Sequence, residues 1–231
     1  MSAVDRLADR LAEGLGSGLG RDVPLGPFTT YRVGGPAALF VDVDGRAELD
    51  VVVDALVAEP GAVPVLVVGK GSNLLVADAG FPGLALRLGG EFAEVVVDGL
   101  DVHAGGAAPL PVLARQTAAA GLTGLEWAVG VPGTVGGGVR MNAGGHGSDI
   151  AATLVEVRLR DLRTGEDGAV SAADLNLGYR RSSVRADQLV TRATFRLVEG
   201  DADTATAELA EIVRWRRENQ PGGPNAGSVF T

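Results

Sequence analysis

The sequence predicts an α+β protein, and three features of its pattern support that fold class. Residues 37–43, 46–58 and 63–68 read as strand, helix and strand, which is a βαβ-like unit. From residue 84 onward, short apolar runs separated by Gly and Asp turns alternate with helical patterns. The 35 glycines fall in clusters without a triplet period, which excludes a collagen-like chain and favours a backbone that approaches a ligand closely.

The N-terminal elements follow from the spacing of apolar residues. Val4, Leu7 and Leu11 recur at helical intervals, so residues 4–15 are expected to form an amphipathic helix. A Gly-Gly-Pro turn precedes the strand at 37–43, and Leu49 and Val53 lie on one face of the helix at 46–58. The strand at 63–68 is apolar throughout, which is typical of a buried strand.

The later elements are shorter and more varied. The expected elements after residue 84 are strands in "LALRL", "FAEVVVDG" and "LDVHAG", a helix over 109–120, a bare and extended glycine-rich surface within 121–147, a hairpin plus a helical turn in "TLVEVRLRDLRTGEDGAVSAADL", a strand in "QLVTRATFRLVEG" and a helix over 201–219.

Composition excludes several classes of function. A net charge of −9 argues against general binding to nucleic acids or anionic membranes. The chain has no cysteine and only two histidines, His103 and His146, so we expect no disulfide, thiolate chemistry or metal site. It shows no signal-peptide core and no apolar run of about 20 residues. We therefore expect a cytoplasmic protein that uses a cofactor; the sequence does not indicate its oligomeric state, and a monomer is the default expectation.

The first candidate site is "GKGSN" at 69–73, directly after the buried strand. Gly69 and Gly71 allow successive N–H groups to point at an anion, and Ser72 and Asn73 add side-chain donors. The spacing is neither that of a P-loop nor that of the Rossmann fingerprint. The motif is therefore a phosphate-binding turn of another kind or simply a tight inter-strand turn.

Three further motifs contain candidate binding residues. "GVPGTVGGGVRMNAGGHG" at 130–147 would suit a flat ligand that carries a diphosphate, or it is a flexible loop. "LGYRRSSVR" at 177–185, which includes Arg185, suits a carboxylate or phosphate, or it is a solvated basic turn. In "PNAGSVF" at 224–230, Ser228 has no histidine nearby and no GxSxG context, so it would act as an acid or donor if it is not structural. Arg214, Arg216 and Arg217 either bind a diphosphate or form a solvated helix face.

Together with "TTYRVGG" at 29–35, these motifs resemble the UDP-N-acetylenolpyruvoylglucosamine reductase family, and the resemblance runs from about residue 25 to the last residue. It implies an FAD-binding fold of the vanillyl-alcohol-oxidase (PCMH) type. The implied domains are a small α/β FAD-binding subdomain at 1–86, a larger α+β one at 87–200, and the start of a substrate-binding domain at 201–231.

The resemblance also implies the chemistry: NADPH reduces bound FAD, and reduced FAD reduces UDP-N-acetylglucosamine enolpyruvate to UDP-N-acetylmuramate for peptidoglycan synthesis. Arg180 would stabilise charge on the substrate carboxylate, and Ser228 would donate the proton. Tyr179 and Asn225 would border the substrate. The implied FAD-binding residues are Tyr31, Gly69, Lys70, Gly71, Ser72, Asn73, Leu74, Gly130, Val131, Pro132, Gly133, Gly136, Gly137, Gly138, Asn142, Gly144 and Val190.

Two departures from the family pattern stand at the C-terminus. The family's catalytic glutamate and the Asn-Pro after its Gly-Ser motif have no counterpart here, so we expect a C-terminal truncation that binds FAD and reduces substrate weakly or not at all. The alternatives are another FAD oxidoreductase of the same fold, an inactive FAD-binding fragment, or a flavin-free binding module.

Overall fold

The computed structural model describes residues 1–59, 63–220, 222 and 223. The helices are α1 Ala3–Leu15, α2 Arg46–Val57, α3 Leu110–Ala119, α4 Val135–Met141 and α5 Ala202–Asn219. The longer strands are β1 Leu19–Pro24, β2 Pro36–Val43, β3 Val65–Val67, β4 Phe81–Leu88, β5 Val95–Asp98, β6 Asp101–Gly105, β10 Leu154–Asp161, β11 Asp167–Ser171 and β12 Gln188–Arg196. Two-residue strands are β7 Leu122–Thr123, β8 Gly144–Gly145, β9 Ser148–Asp149 and β13 Val198–Glu199.

The N-terminal half is built on a sheet with the strand order β1-β2-β4-β3. Strands β2, β4 and β3 run parallel, whereas β1 is antiparallel to β2. Helices α1 and α2 pack on one face, where Leu7, Leu39 and Leu86 are fully buried. Helix α1 begins at a capping box in which Ser2 and Asp5 satisfy each other's backbone N–H groups. The strand–helix–strand pattern expected from the sequence is therefore present.

The C-terminal half contains an antiparallel sheet with the strand order β11-β10-β12-β6-β5. Helices α3, α4 and α5 contribute Leu113, Val139 and Leu209 to one core with this sheet. The hairpin of β10 and β11, the strand β12 and the helix α5 lie where the apolar pattern indicated.

The structure adds two facts to the expected domain division. Strand β4 ends at Leu88, two residues beyond the expected boundary at 86, and belongs wholly to the first sheet. Helix α5 lies in the expected third domain, yet Ala205 and Ile212 are buried in the core of the second half. The division into three domains stays a prediction.

The expectation of an extended surface in the glycine-rich stretch is wrong. Residues 126–130 form a 3-10 helix and residues 135–141 form the α-helix α4, although Gly136, Gly137 and Gly138 have poor helix propensity. Thr134 caps the helix by accepting a hydrogen bond from the Gly137 N–H at 3.3 Å. Val135 and Val139 are fully buried, so tertiary packing outweighs the local preference.

No helix within the described ranges is both long and apolar enough to cross a bilayer.

Candidate functional site

A cleft of about 640 Å³ separates the two sheets. The ends of β2, β4 and β3 form one wall, and the segments around α4 and the start of β12 form the other. The carboxyl ends of parallel strands are the usual ligand-binding edge of such a sheet. The lining residues are Asp42, Asp44, Val65, Leu66, Val67, Val68, Gly69, Lys70, Leu74, Arg87, Leu88, Gly89, Ala93, Gly106, Ala107, Pro109, Thr134, Gly136, Gly137, Arg140, Val184, Arg185, Ala186, Gln188, Leu189 and Val190.

Residues 69–73 form a turn at the end of β3, on the first wall. Within the described part of the chain, none of the five backbone N–H groups from 69 to 73 donates a hydrogen bond. Gly71 has a φ of +61°, and a Cβ there would lie 2.0 Å from the Phe28 carbonyl oxygen. Only glycine fits this position, and a row of N–H groups without intramolecular acceptors beside a cleft suits an anion.

A second pocket of about 670 Å³ lies on the other side of this turn and shares Gly69, Lys70 and Arg87 with the first cleft. The Arg87 guanidinium is fixed between the two. It pairs with the Asp42 carboxylate at 2.6 and 2.9 Å and lies 4.7 Å from the centre of the Phe28 ring. Arg87 is therefore ordered next to the turn without a ligand, and its charge is balanced by the Asp42 carboxylate.

Helix α4 lies on the opposite side of the cleft, and we call its residues Gly136 and Gly137 the floor of α4. Gly136 and Gly137 line the cleft and present no side chain to it. The N–H groups of Val135, Gly136 and Gly137 are already used, because they donate to Ala108 O, Gly106 O and Thr134 Oγ1. The free backbone donors are therefore those of the turn at 69–73, whereas α4 supplies space rather than donors.

The described lining contains the cationic side chains Lys70, Arg87, Arg140 and Arg185 against the acidic side chains Asp42 and Asp44. Arg87 is paired with Asp42, and Arg185 with Asp161 and Asp187, so Lys70 and Arg140 are the lining cations without a carboxylate partner among the described residues. A local positive field in a concave site attracts anionic ligands. A diphosphate fits this charge and the free N–H groups of the turn.

Six of the residues expected to bind the cofactor line the cleft, namely Gly69, Lys70, Leu74, Gly136, Gly137 and Val190. Three more belong to the turn itself: Gly71, Ser72 and Asn73. Tyr31 lies between Thr30 and Arg32, which line the second pocket, and the Thr30 N–H donates to Gly71 O at 3.2 Å.

The remaining expected cofactor residues have other surroundings. A Cβ at Gly130 would lie 3.1 Å from Arg216 Cδ on α5, and one at Gly138 would lie 3.2 Å from Leu110 Cδ1 in the core. Val131 packs against the same core, Pro132 is exposed, and a Cβ at Gly133 would lie 3.6 Å from Ser72 Oγ.

Asn142 and Gly144 belong to a polar network at the end of α4. The Asn142 amide nitrogen donates to Asp149 Oδ2 at 3.0 Å and to Gly178 O at 3.1 Å, and its oxygen accepts from the Ala151 N–H. Gly144 O accepts from both terminal nitrogens of Arg180 at 3.3 Å. Asn142 therefore connects α4 to the motif that contains Arg180.

The residues with expected catalytic or substrate-binding roles are only partly described. Arg180 is exposed, has a φ of +55°, and its guanidinium carbon lies 5.3 Å from the centre of the Tyr179 ring. Tyr179 is also exposed, so both side chains are accessible from solvent. Ser228 and Asn225 lie outside the described residues.

Sequence reasoning missed part of the lining. Asp42, Asp44 and Arg87 lie near the ends of β2 and β4, where the sequence shows no distinctive polar pattern, and Gln188 is the first residue of β12. Arg185, by contrast, belongs to the basic motif at 177–185 and does line the cleft. The signal that could have found the missed residues was the topology, because the carboxyl ends of three parallel strands lie at the same edge of the sheet. The Gly-Gly pair at 105–106 was a second signal, and a Cβ at Gly106 would lie 1.9 Å from Val190 O.

Comparison with known proteins agrees with this geometry. The model of the FAD binding domain family matches residues 37–166. A UDP-N-acetylenolpyruvoylglucosamine reductase of Synechococcus sp. (strain RCC307) is 40% identical over 216 residues, which cover 91% of this chain and 70% of that protein. The chain belongs to the UDP-N-acetylenolpyruvoylglucosamine reductase family.

Solved structures extend the similarity to the fold. The reductase (MurB) from Thermus caldophilus is similar with a TM-score of 0.79 and 35% identity, covering 92% of this chain and 74% of that chain. A berberine bridge enzyme variant has a TM-score of 0.66 at 14% identity, covering 87% of this chain and 45% of that chain, and it shows the fold alone. The chain spans 63–70% of the length of the curated relatives it matches.

Family membership confirms the α+β FAD-binding fold, FAD as cofactor and the class of FAD-dependent oxidoreductases. The residues of the cleft fit the cofactor: the cleft volume lies within the roughly 300–1,000 Å³ typical of ligand pockets, and the turn at 69–73 offers donors for a diphosphate. Membership of the reductase family therefore identifies FAD as the anionic ligand that suits the cleft.

Proposed function

We propose that this protein is an NADPH-dependent flavoenzyme that reduces UDP-N-acetylglucosamine enolpyruvate to UDP-N-acetylmuramate, a step of peptidoglycan precursor synthesis. The observation that carries the proposal is the row of free N–H groups at 69–73 beside a cleft that Lys70 and Arg140 line, in a member of the reductase family. Both substrates are soluble nucleotides, and we place the reaction in the cytoplasm.

The turn at 69–73 and the floor of α4 bind and orient the cofactor. The free N–H groups and Lys70 hold the diphosphate, and Gly136 and Gly137 leave room for the rest. When bound there, FAD would supply the redox chemistry that carries a hydride from NADPH to the enolpyruvyl β-carbon. Closing such a site against water strengthens every charge interaction within it.

Arg180 and Ser228 act on the substrate. Negative charge develops on the enolpyruvyl carboxylate as the hydride arrives, and the Arg180 guanidinium stabilises it. The hydroxyl of Ser228 gives its proton to the α-carbon, which is basic enough to take it at this stage. Tyr179 and Asn225 border the substrate. The two interactions between Arg180 and Gly144 O support this assignment because they hold the guanidinium near the end of α4.

The test separates the two half-reactions. We expect the protein, assayed at its full length, to oxidise NADPH faster with the enolpyruvyl substrate than with oxygen alone, as followed by absorbance. Equal rates would favour another oxidoreductase of this fold and contradict the proposal.

The roles of single residues are tested in the same assay. Arg180→Ala removes the positive charge that stabilises the transition state, so substrate turnover should fall about 10²–10³-fold while reduction of the flavin by NADPH keeps its rate. Ser228→Ala should likewise slow the reduction of the substrate and leave the rate of flavin reduction by NADPH unchanged. Arg181→Ala, at the neighbouring exposed position, is the matched control. Equal effects of Arg180→Ala and Arg181→Ala would refute the assignment.

A further inference from the structure

The turn between β10 and β11, residues 162–166, belongs by sequence to the second half but packs on the first. Leu162 is fully buried in the core that contains Leu49 and Val53 of α2. A Cβ at Gly165 would lie 3.6 Å from Val57 Cγ2. Arg160, at the end of β10, pairs with Asp50 of α2 at 2.9 Å. This turn is therefore a contact between the two halves.

Arg163 connects the turn to the first wall of the cleft. Its Nη2 donates to Val63 O at 2.8 Å, and Val63 is fully buried. Val63 lies two residues before β3, whose residues Val65, Leu66 and Val67 line the cleft and lead into the turn at 69–73. A charged donor to a buried carbonyl is among the stronger hydrogen bonds in proteins.

Asp161 connects the same turn to the opposite wall. Its Oδ1 accepts from the N–H groups of Arg163 and Thr164 at 2.8 and 2.9 Å. Its Oδ2 accepts from Nη2 of Arg185, which lines the cleft. Arg185 is held further by Asp187, at 2.9 Å. We call Arg163, Asp161 and Arg185 the brace, because they form an unbroken chain of contacts from one wall to the other.

We propose that Arg163 is a positioning residue for FAD: through the brace it fixes the separation of the two cleft walls that the cofactor must bridge. The inference rests on the proposed function for the identity of the ligand. Asp161 and Arg185 transmit the position of the turn to residues 184–190, and Val63 transmits it to β3. Preorganised walls raise affinity because less conformational freedom is lost when the ligand binds.

A purely local role is the competing explanation, and the same hairpin offers a control for it. Arg158 pairs with Asp167 across β10 and β11, at 2.7 Å, and this pair is confined to the hairpin. Arg158→Met and Arg163→Met both replace an arginine by a side chain with a similar apolar stem. Arg163→Lys keeps a charged donor for Val63 O and should rescue.

The experiment measures two quantities on the whole chain: the FAD dissociation constant, by fluorescence titration of the apoprotein, and hydrogen exchange of the apoprotein by mass spectrometry. We expect Arg163→Met and Asp161→Asn each to raise the dissociation constant about tenfold and to speed exchange at both 63–68 and 184–190. We expect Arg158→Met to change neither quantity and Arg163→Lys to remain within about threefold of the parent.

Faster exchange confined to 161–166, or a dissociation constant within twofold of the parent for both variants, would overturn the brace. If Arg163→Met does not fold, Asp161→Asn and Arg163→Lys still decide. A parent protein that takes up no FAD would overturn the proposed function instead, and the exchange pattern alone would then decide whether the brace connects the walls.

Discussion

Gly71 shows most directly how one residue decides the shape of the anion site. Its left-handed φ of +61° turns the chain after β3, and a Cβ would lie 2.0 Å from the Phe28 carbonyl oxygen and 2.7 Å from Thr29 Cα. The positive φ needs a residue that tolerates the left-handed conformation, and the close approach of Phe28 and Thr29 leaves no space for a side chain. The turn at 69–73 is therefore held against the segment that contains Tyr31.

We predict that Gly71→Ala lowers the free energy of unfolding more than Gly99→Ala does. Gly99 has a similar φ of +58°, but no atom lies within 4 Å of the place that an alanine methyl group would take. Its substitution therefore measures the backbone preference alone, about 1–2 kcal/mol. Urea unfolding of both variants gives the difference, which reports the clash with Phe28. Equal losses would show that the turn can move away from Phe28 without strain.

At this scale the sequence indicated the chemistry of the site better than its geometry. "GKGSN" predicted a turn with free N–H groups, and the structure has one there. Asn142 was chosen for its amide, but nothing in the sequence indicated that Asp149, Gly178 and Ala151 would be its hydrogen-bond partners. Partners that are distant along the chain depend on the fold, which local patterns do not reveal.

At the scale of elements, periodic apolar spacing predicted α1, α2, α3 and α5 together with β2, β3 and the strands β10 to β12. Strand β1 was missed because "LGRDVP" has neither alternation nor a run of apolar residues. Helix α4 was missed because three consecutive glycines oppose helix formation, and the Thr134 cap and buried Val135 and Val139 overcome that preference only in the folded protein.

Helix α4 yields a prediction in which stability and binding change in opposite directions. Gly137 is exposed in the helix, and a Cβ there would make only an ordinary contact of 3.5 Å with Thr134 Oγ1. Gly137→Ala should raise the free energy of unfolding by roughly 0.5 kcal/mol, because alanine favours the helix. The same methyl group occupies space on the cleft floor, so FAD affinity should fall.

The matched control is Gly168→Ala in β11, where nothing lies within 4 Å of the added Cβ and the cleft is remote. Thermal unfolding and FAD titration of both variants separate the two effects. A Gly137→Ala protein that binds FAD as tightly as Gly168→Ala would show that α4 does not form the floor of the binding site.

At the scale of the whole molecule, acidic side chains with lowered pKa values connect elements that are far apart in sequence. The Arg6 guanidinium lowers the pKa of Glu59, and Arg196 lowers that of Asp101. Burial works against ionisation of Asp161, but hydrogen bonds from Thr164, Arg163 and Arg185 outweigh it, so its pKa also lies below the usual value. Each carboxylate binds protons less readily in the folded than in the unfolded chain.

These directions set the pH dependence of stability. A carboxyl group whose folded pKa is lowered stabilises the protein above its unfolded pKa, near 4, and the contribution is lost as the pH falls below that value. We therefore predict that the urea midpoint falls steeply between about pH 4.5 and pH 3. Asp161 accepts hydrogen bonds from Arg163 and Arg185, and Arg185 is also paired with Asp187. We expect Asp161 to account for part of this fall in the urea midpoint.

The Asp161→Asn variant tests how much Asp161 contributes to the pH dependence of the urea midpoint. It cannot titrate at this position, so its urea midpoint should be lower at pH 7 and should depend less on pH than that of the parent. Parallel curves for the two proteins, measured by circular dichroism at matched ionic strength, would show that Asp161 contributes nothing to the acid sensitivity.

Our central proposal is that the turn at 69–73 and the floor of α4 together bind FAD in the cleft between the two halves. Equilibrium titration of the apoprotein with FAD, followed by flavin fluorescence anisotropy, tests it most directly. We predict saturation at one FAD per chain, with weaker binding in Gly137→Ala and unchanged binding in Gly168→Ala. A titration without saturation, or equal affinity in those two variants, would contradict it.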